Sequence, residues 1–381
     1  MSESRAFGAI YTSVAISYLG VGLVAPLIAL VLDERGANSF VVGLVGTTMF
    51  AAFTLASFPA GAATDRYGPR PVLTAGLVLY GTSVLLFAFI EHTLLFFAVR
   101  VVEGVGGAAI SVATETMISR LSAPNERARR MSYYALSVGI GWAAGPLAGT
   151  LLFKVNHKLP FVGCFALSLL AGVLVRIWVP RTPSNRHRIQ GLLRGLSVGM
   201  IIPIAAGALY GYLMSSLVTL FPLYLKTMHV GETAMGTIIT AVIIGTIGSQ
   251  VPIGRAADRF GRVRVLLICS ILLTAVFLIM PLHTDWRSFV ITGALAGALA
   301  GSLYPIGISI IGGLVSRDRL GAGTSLFSLA FGVGSLVGPG ASGLAMNKLA
   351  PASLFYLPCL LTGLFCVVII SLQKRSTAET S

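Results

Sequence analysis

The sequence predicts an all-α membrane protein with twelve transmembrane helices. Three observations support this prediction: 55% of the 381 residues are hydrophobic, only 10% are charged, and the mean hydropathy is +0.88. A water-soluble domain of this length cannot hide so much apolar surface, because polar residues must form its outside. The charges lie instead between apolar runs close to the ~20 residues that cross a ~30 Å hydrocarbon layer.

The apolar runs, in chain order, are 7–32, 40–60, 72–90, 94–116, 132–153, 160–179, 196–225, 233–253, 265–283, 288–315, 321–346 and 354–373. The first run is too long for a signal-peptide core and no small-residue cleavage site follows it, so we expect a retained span. An even number of spans leaves both termini on one side of the membrane.

The net charge of +14 indicates topology. When loops are numbered alternately, 20 of the 27 basic residues fall on one side and 6 on the other, with Arg100 inside a span. Lys and Arg accumulate on the cytoplasmic side. We therefore expect cytoplasmic termini, a bacterial-type inner membrane, the lipid bilayer as partner and no nucleic-acid partner.

Three features recur at a single offset of 193 residues. They are Gly61–Gly68 against Gly254–Gly261, the Gly141/Gly145-Pro146 pattern against Gly334/Gly338-Pro339, and Gly104 against Gly297. One offset over six spans predicts two parallel six-helix repeats. The expected domains are an N-terminal bundle (1–179), a cytoplasmic linker (180–195) and a C-terminal bundle (196–381).

Four motifs resemble those of the major facilitator superfamily. They are Gly61-x-x-x-Asp65-Arg66-x-Gly68-x-Arg70, Arg100-x-x-Glu103-Gly104-x-Gly106, Gly141-x-x-x-Gly145-Pro146-x-x-Gly149, and Leu19-Gly20 with Pro26. The third resembles the family's fifth-helix antiporter motif, and the last resembles the motif of the twelve-helix drug:proton antiporter branch. Glu103 stands where the family usually has Gln, and Pro69 where it usually has a basic residue. The resemblance implies the major facilitator fold and a secondary transporter, with no enzyme activity and no cofactor.

The repeated loop motif predicts a gate. Its residues are Asp65, Arg66, Gly68 and Arg70 in the first half, and Asp258, Arg259, Gly261 and Arg262 in the second. A carboxylate can cap the positive N-terminus of a neighbouring helix. We expect Asp65 to cap span 11 and Asp258 to cap span 5, each held by the next arginine. The alternative is a static loop staple.

Small residues predict close helix packing and a hinge. The positions are Gly141, Gly145, Pro146 and Gly149 in span 5, and Gly334, Gly338 and Pro339 in span 11. Glycines four residues apart share a helical face that another helix can approach closely. The proline removes a backbone donor and permits a bend.

Charges inside the fourth span predict proton coupling. The span contains Arg100, Glu103 and Glu115, and each charge costs about 2.5–3.5 kcal/mol on insertion scales. Arg100 and Glu103 are three residues apart and can pair. In the functional interpretation Glu103 carries a proton and Arg100 adjusts its proton affinity. In the alternative the two form a permanent ion pair. Glu115 belongs either to this site or to a polar border with Arg120.

The predicted substrate cavity uses aromatic and polar residues at central depth: Tyr18, Trp142, Tyr210, Tyr212, Gln250 and Tyr304. Together they suit cationic or neutral aromatic compounds. The four cysteines and five histidines lack metal-ligand spacing, so no metal site is expected.

The leading hypothesis is proton-coupled efflux of small amphipathic compounds by a monomer with alternating access. One alternative is an importer or facilitator of a small metabolite such as an organic anion or a sugar, in which Arg100 binds the anionic group. Another is a membrane receptor or scaffold that does not transport.

Overall fold

The computed structural model describes residues 3–123, 126–180, 198–315 and 320–378. Regular structure within those ranges is helical throughout, which confirms the predicted fold class. Twelve segments of the described chain are long and apolar enough to cross a membrane, as the hydropathy pattern predicts. Residues 181–195 of the predicted linker lie outside the described ranges.

The helices before residue 180 are α1 Glu3–Val24, α2 Leu27–Glu34, α3 Ser39–Tyr67, α4 Pro69–Phe87, α5 Thr93–Leu121, α6 Arg127–Val155 and α7 Leu159–Trp178. Those after residue 198 are α8 Ile201–Thr227, α9 Glu232–Phe260, α10 Arg262–Ile279, α11 Trp286–Ala300, α12 Leu303–Leu314, α13 Leu320–Lys348 and α14 Ser353–Ala378. Short 3₁₀ turns at Val198–Met200 and Met280–Leu282 flank α8 and α10.

Two spans consist of two helices each, a detail that the hydropathy pattern does not predict. The first span is interrupted at Ala25–Pro26, between α1 and α2, and the tenth at Gly301–Ser302, between α11 and α12. Proline explains both interruptions, since it has no N–H and its ring crowds the carbonyl four residues earlier. Pro26 stands at the first break, and Pro305 crowds Gly301 at the second.

The chain divides into two compact units. The first comprises Met1–Ala37, Val45–Ile189 and Gly231–Thr240, and the second comprises Asn38–Leu44, Gln190–Val230 and Ala241–Ser381. The units follow the two sequence halves, except that the first residues of α3 belong to the second unit and those of α9 to the first.

Glycine joins consecutive helices at two equivalent places. Gly68 is the one residue between α3 and α4, with φ 86°, and Gly261 is the one residue between α9 and α10, with φ 95°. Residues other than glycine rarely adopt positive φ. Glycine at these two positions therefore permits a tight turn within each copy of the repeated motif.

Close helix packing repeats at the offset of 193 residues inside each unit. A Cβ added to Gly141 would lie 2.9 Å from the amide nitrogen of Leu19, so α6 and α1 meet there almost backbone to backbone. A Cβ added to Gly334 would lie 2.9 Å from the amide nitrogen of Tyr212, in the equivalent contact between α13 and α8. The internal duplication is therefore present in the packing as well as in the sequence.

Candidate functional site

A buried ion pair lies between α4 and α5 in the first unit. Arg100 Nη1 donates to Glu103 Oε2 at 2.9 Å, so the pair that the spacing predicts does form. The side chain of Glu103 is only 2% exposed, and the Tyr80 hydroxyl of α4 lies near its carboxylate. The Arg100 guanidinium lies 5.5 Å from the centre of the Phe87 ring. The charges thus neutralise each other within the helix bundle.

Glycines bring α4 and α5 together at this pair. A Cβ added to Gly106 would lie 2.7 Å from the backbone nitrogen of Tyr80, and one added to Gly76 would lie 2.8 Å from the Ala109 side chain. Larger residues would separate the two helices and move the Tyr80 hydroxyl away from Glu103. Gly106 of α5 and Gly76 of α4 therefore set the distance between Tyr80 and the ion pair.

The second acid of α5, Glu115, lies in a cluster of hydroxyl groups. Ser111 Oγ donates to Glu115 Oε1 at 3.0 Å, and the Tyr134 hydroxyl of α6 lies near the carboxylate. Tyr18 of α1 lies near Tyr134 in turn. Unlike Glu103, Glu115 is exposed, although it belongs to a membrane span. Neutral hydrogen-bond donors therefore surround this carboxylate, and no basic side chain of the described residues is among them.

Three aromatic rings from separate helices form a cluster in the second unit. Ring centres of Tyr210 (α8) and Tyr304 (α12) are 5.6 Å apart, and each lies 5.8 Å from the Phe331 ring of α13. All three residues are half-buried. Tyr304 follows directly after the break in span 10. Such a cluster offers stacking surfaces to a flat or cationic ligand.

The remaining cavity candidates do not join these clusters. The Tyr212 hydroxyl lies 2.6 Å from Ser342 Oγ, which donates to Ser216 Oγ at 3.0 Å. Tyr212 is buried within this interhelical network, and its role in a substrate cavity stays a prediction. Trp142 is half-buried on α6 and Gln250 is exposed on α9.

The first gate motif is engaged inside its own unit. Asp65 Oδ1 accepts a hydrogen bond from Arg120 of α5 at 2.6 Å, whereas we expected the next arginine, Arg66, as its partner. The Arg66 guanidinium lies 5.1 Å from the centre of the Tyr67 ring. The sequence did not indicate Arg120 as the partner of Asp65, because the two are 55 residues apart. Arg120 reaches Asp65 only because α5 packs beside α3.

The ion pair of the second gate motif is longer and more exposed than that of the first. Arg262 Nη2 lies 3.9 Å from Asp258 Oδ1, and the Asp258 side chain is 75% exposed. Arg259 lies over the neighbouring Phe260 ring at 5.2 Å, as Arg66 does over its own neighbour. Arg262 Nη1 also donates to the Ser309 carbonyl at 2.9 Å, which ties α10 to α12. The capping of spans 5 and 11 by these aspartates stays a prediction.

The hinge residues lie at close helix contacts. Gly145 and Gly149 of α6 approach the backbone of α1 at Gly22 and Leu23, and Gly338 of α13 approaches Ser215 of α8. Helices α6 and α13 continue through Pro146 and Pro339. Their role as hinges stays a prediction.

Sequence reasoning missed four residues that complete these clusters, Tyr80, Ser111, Tyr134 and Phe331, and it did not pair Arg120 with Asp65. Ser111 lies one helical turn before Glu115, so a search for polar neighbours at i−4 would have found it. Nothing in one sequence pairs the others with their partners on different helices.

The comparisons agree with this architecture. The family model for the Major Facilitator Superfamily matches residues 10–198 and 203–381. The chain is 30% identical to the MFS-type transporter YfkF of Bacillus subtilis (strain 168) over 96% of both proteins. It is 26% identical to Multidrug resistance protein 1 of the same organism over 72% of both. The solved nucleoside transporter NupG superposes with a TM-score of 0.80 at 12% identity, covering 96% of this chain and 99% of NupG.

A family match over nearly the whole chain fits the all-helical structure and its twelve candidate spans. The chain is a multi-pass membrane protein that belongs to the Major Facilitator Superfamily of transporters.

Proposed function

We propose that this transporter exports small amphipathic, preferentially cationic compounds in exchange for protons. The observation that carries the proposal is the accessible Glu115 carboxylate, held by hydroxyl groups within a membrane span. A carboxylate at membrane depth is costly unless a counter-charge or a proton neutralises it. A proton and a cationic substrate would therefore compete for Glu115, and such competition is the basis of exchange.

We assign the exchanged proton to Glu115 in preference to Glu103. Glu103 has a counter-ion in Arg100 at 2.9 Å and its side chain is 2% exposed, so its proton would need a path through packed helices. In this proposal the Arg100–Glu103 pair holds α5 against α4. This packing keeps Glu115 close to Ser111 and Tyr134.

The aromatic cluster of Tyr210, Tyr304 and Phe331 supports a flat or cationic substrate. Cation–π contacts are worth about 0.5–2 kcal/mol each. The similarity to Multidrug resistance protein 1 agrees with this substrate class. The driving force is sufficient, since one pH unit supplies about 1.4 kcal/mol per proton and 100 mV about 2.3 kcal/mol per charge.

The test measures proton release from acidified everted vesicles with a pH-sensitive dye. Lipophilic cations, nucleosides, sugars and organic acids are added one at a time. We expect a cation to dequench the dye in vesicles with the wild type and not in those with Glu115→Gln. Glu91→Gln, the same substitution in an exposed loop outside the helices, serves as the matched control and should behave as wild type.

Two outcomes would contradict parts of the proposal. If Glu103→Gln abolishes exchange at equal amounts of folded protein while Glu115→Gln preserves it, antiport stands and Glu103 is the proton carrier. If labelled solute equilibrates without proton movement, the protein is a facilitator.

One observation favours an anionic metabolite as the second candidate substrate. Arg100 Nε is buried and has no hydrogen-bond partner in the described part of the chain. A guanidinium with a spare donor can bind a carboxylate or phosphate. This alternative predicts that Arg100→Ala abolishes solute binding while Glu115→Gln leaves flux intact. A scaffold without transport activity predicts no flux for any compound.

A further inference from the structure

A groove between α4 and α7 lies on the outside of the first unit. Its volume is about 820 Å³, and its lining includes Arg70, Thr74, Val78, Leu79 and Arg176. Val78 and Leu79 are exposed. Both helices are candidate membrane spans, so part of the groove would face the lipid bilayer.

The polar end of the groove is strongly basic. The Arg70 guanidinium donates to the backbone carbonyl of Arg176, which brings two arginines to the same place although they are 106 residues apart. The lining of the groove, where the structure describes it, contains no carboxylate. Two arginine side chains that line one groove attract an anion.

The other end of the groove is apolar. Val78 and Leu79 lie eight and nine residues after Arg70 on α4, which corresponds to about 12–14 Å along the helix axis. Arg70 lies in the first turn of α4 and Arg176 in the last turn of α7, so both arginines lie at the ends of spans. A ligand that fits has an anionic head at the arginines and an apolar chain along α4.

The arginine pair is not required for packing these two helices. The equivalent positions in the second half, 193 residues later, are Val263 of α10 and Ile369 of α14, and those helices pack against each other without arginines there. A general preference for basic residues on one side of the membrane explains why each arginine lies at the end of a span. It does not explain their convergence on one groove.

We propose that this groove binds an anionic phospholipid, with its headgroup phosphate between Arg70 and Arg176 and an acyl chain along Val78 and Leu79. Arginine suits this role because its planar fork of donors matches phosphate oxygens. The bound lipid bridges the turn between α3 and α4 and the last turn of α7.

The experiment titrates the purified full-length protein in detergent with phosphatidylglycerol or phosphatidylcholine and counts bound lipids by native mass spectrometry. We expect tighter binding of phosphatidylglycerol. Each arginine near an anionic headgroup contributes about fivefold in affinity, so the Arg70→Gln/Arg176→Gln double variant should bind about 25-fold more weakly.

Arg176→Gln alone is the informative single variant, because its backbone carbonyl still accepts from Arg70 and the fold keeps that contact. The matched control is Arg264→Gln, which removes the arginine from an apolar groove in the second unit. Phosphatidylglycerol binding should fall in Arg176→Gln and stay unchanged in Arg264→Gln. Equal affinity for the two lipids, unchanged binding in the double variant, or displacement of phosphatidylglycerol by millimolar glycerol phosphate would overturn the proposal.

Discussion

Replacing Glu103 by glutamine removes the charge that neutralises Arg100. The side chains of this pair are 2% and 10% exposed, and their polar atoms are 2.9 Å apart, so water cannot replace the lost carboxylate. Breaking one partner of a buried pair costs about 3–5 kcal/mol. A unit of this size loses about 2–4 °C of melting temperature per kcal/mol. We therefore expect Glu103→Gln to melt about 10 °C below the wild type.

The assay is thermal unfolding in detergent, followed by the loss of monodisperse protein on size-exclusion chromatography. Arg100→Ala should lower the midpoint similarly, since it leaves Glu103 unpaired. The Arg100→Met/Glu103→Leu double variant removes both charges and retains volume, so its midpoint should return most of the way to that of the wild type. A Glu103→Gln midpoint within 1 °C of the wild type would refute this reasoning. So would additive losses in the double variant.

Three further predictions use matched pairs. Gly104→Ala should lower the melting temperature, since its Cβ would lie 2.8 Å from the backbone nitrogen of Phe53, whereas Gly61→Ala, with open space around the new Cβ, should not; equal midpoints would contradict the packing argument. Asp65→Asn should cost more stability than Asp258→Asn, because only the first carboxylate has a 2.6 Å bond to another helix; the same thermal assay decides. Tyr304→Ala should raise the KM for a cationic substrate about tenfold while Tyr304→Phe leaves it unchanged, as measured by labelled uptake into everted vesicles.

The sequence predicted the repeat because packing constraints act on particular residues. Gly141 and Gly334 each meet a helix backbone so closely that no side chain fits, and this requirement preserves glycine at both positions. The number of spans was predictable for a similar reason, since the thickness of the bilayer fixes the length of each apolar run. The breaks in spans 1 and 10 were not predicted, because the interrupted runs remain apolar throughout.

Partners on different helices were the part that sequence could not supply. Glu115 was ambiguous until Tyr134 and Ser111 gave it a hydroxyl environment, and Asp65 was expected to bond Arg66 until α5 brought Arg120 to it. Helical periodicity says which residues share a face, but it does not say which other helix that face meets. The Arg100–Glu103 pair was predictable only because both residues lie on the same helix.

The joints at Gly68 and Gly261 have a mechanical consequence. A linker of several residues absorbs the tilt of one helix before the next helix responds, but one residue offers only two dihedral angles. We therefore expect a tilt of α3 to change the orientation of α4 directly, and a tilt of α9 to change that of α10. Inserting two or three flexible residues after either glycine would lengthen the linker. One helix could then tilt without changing the orientation of the next.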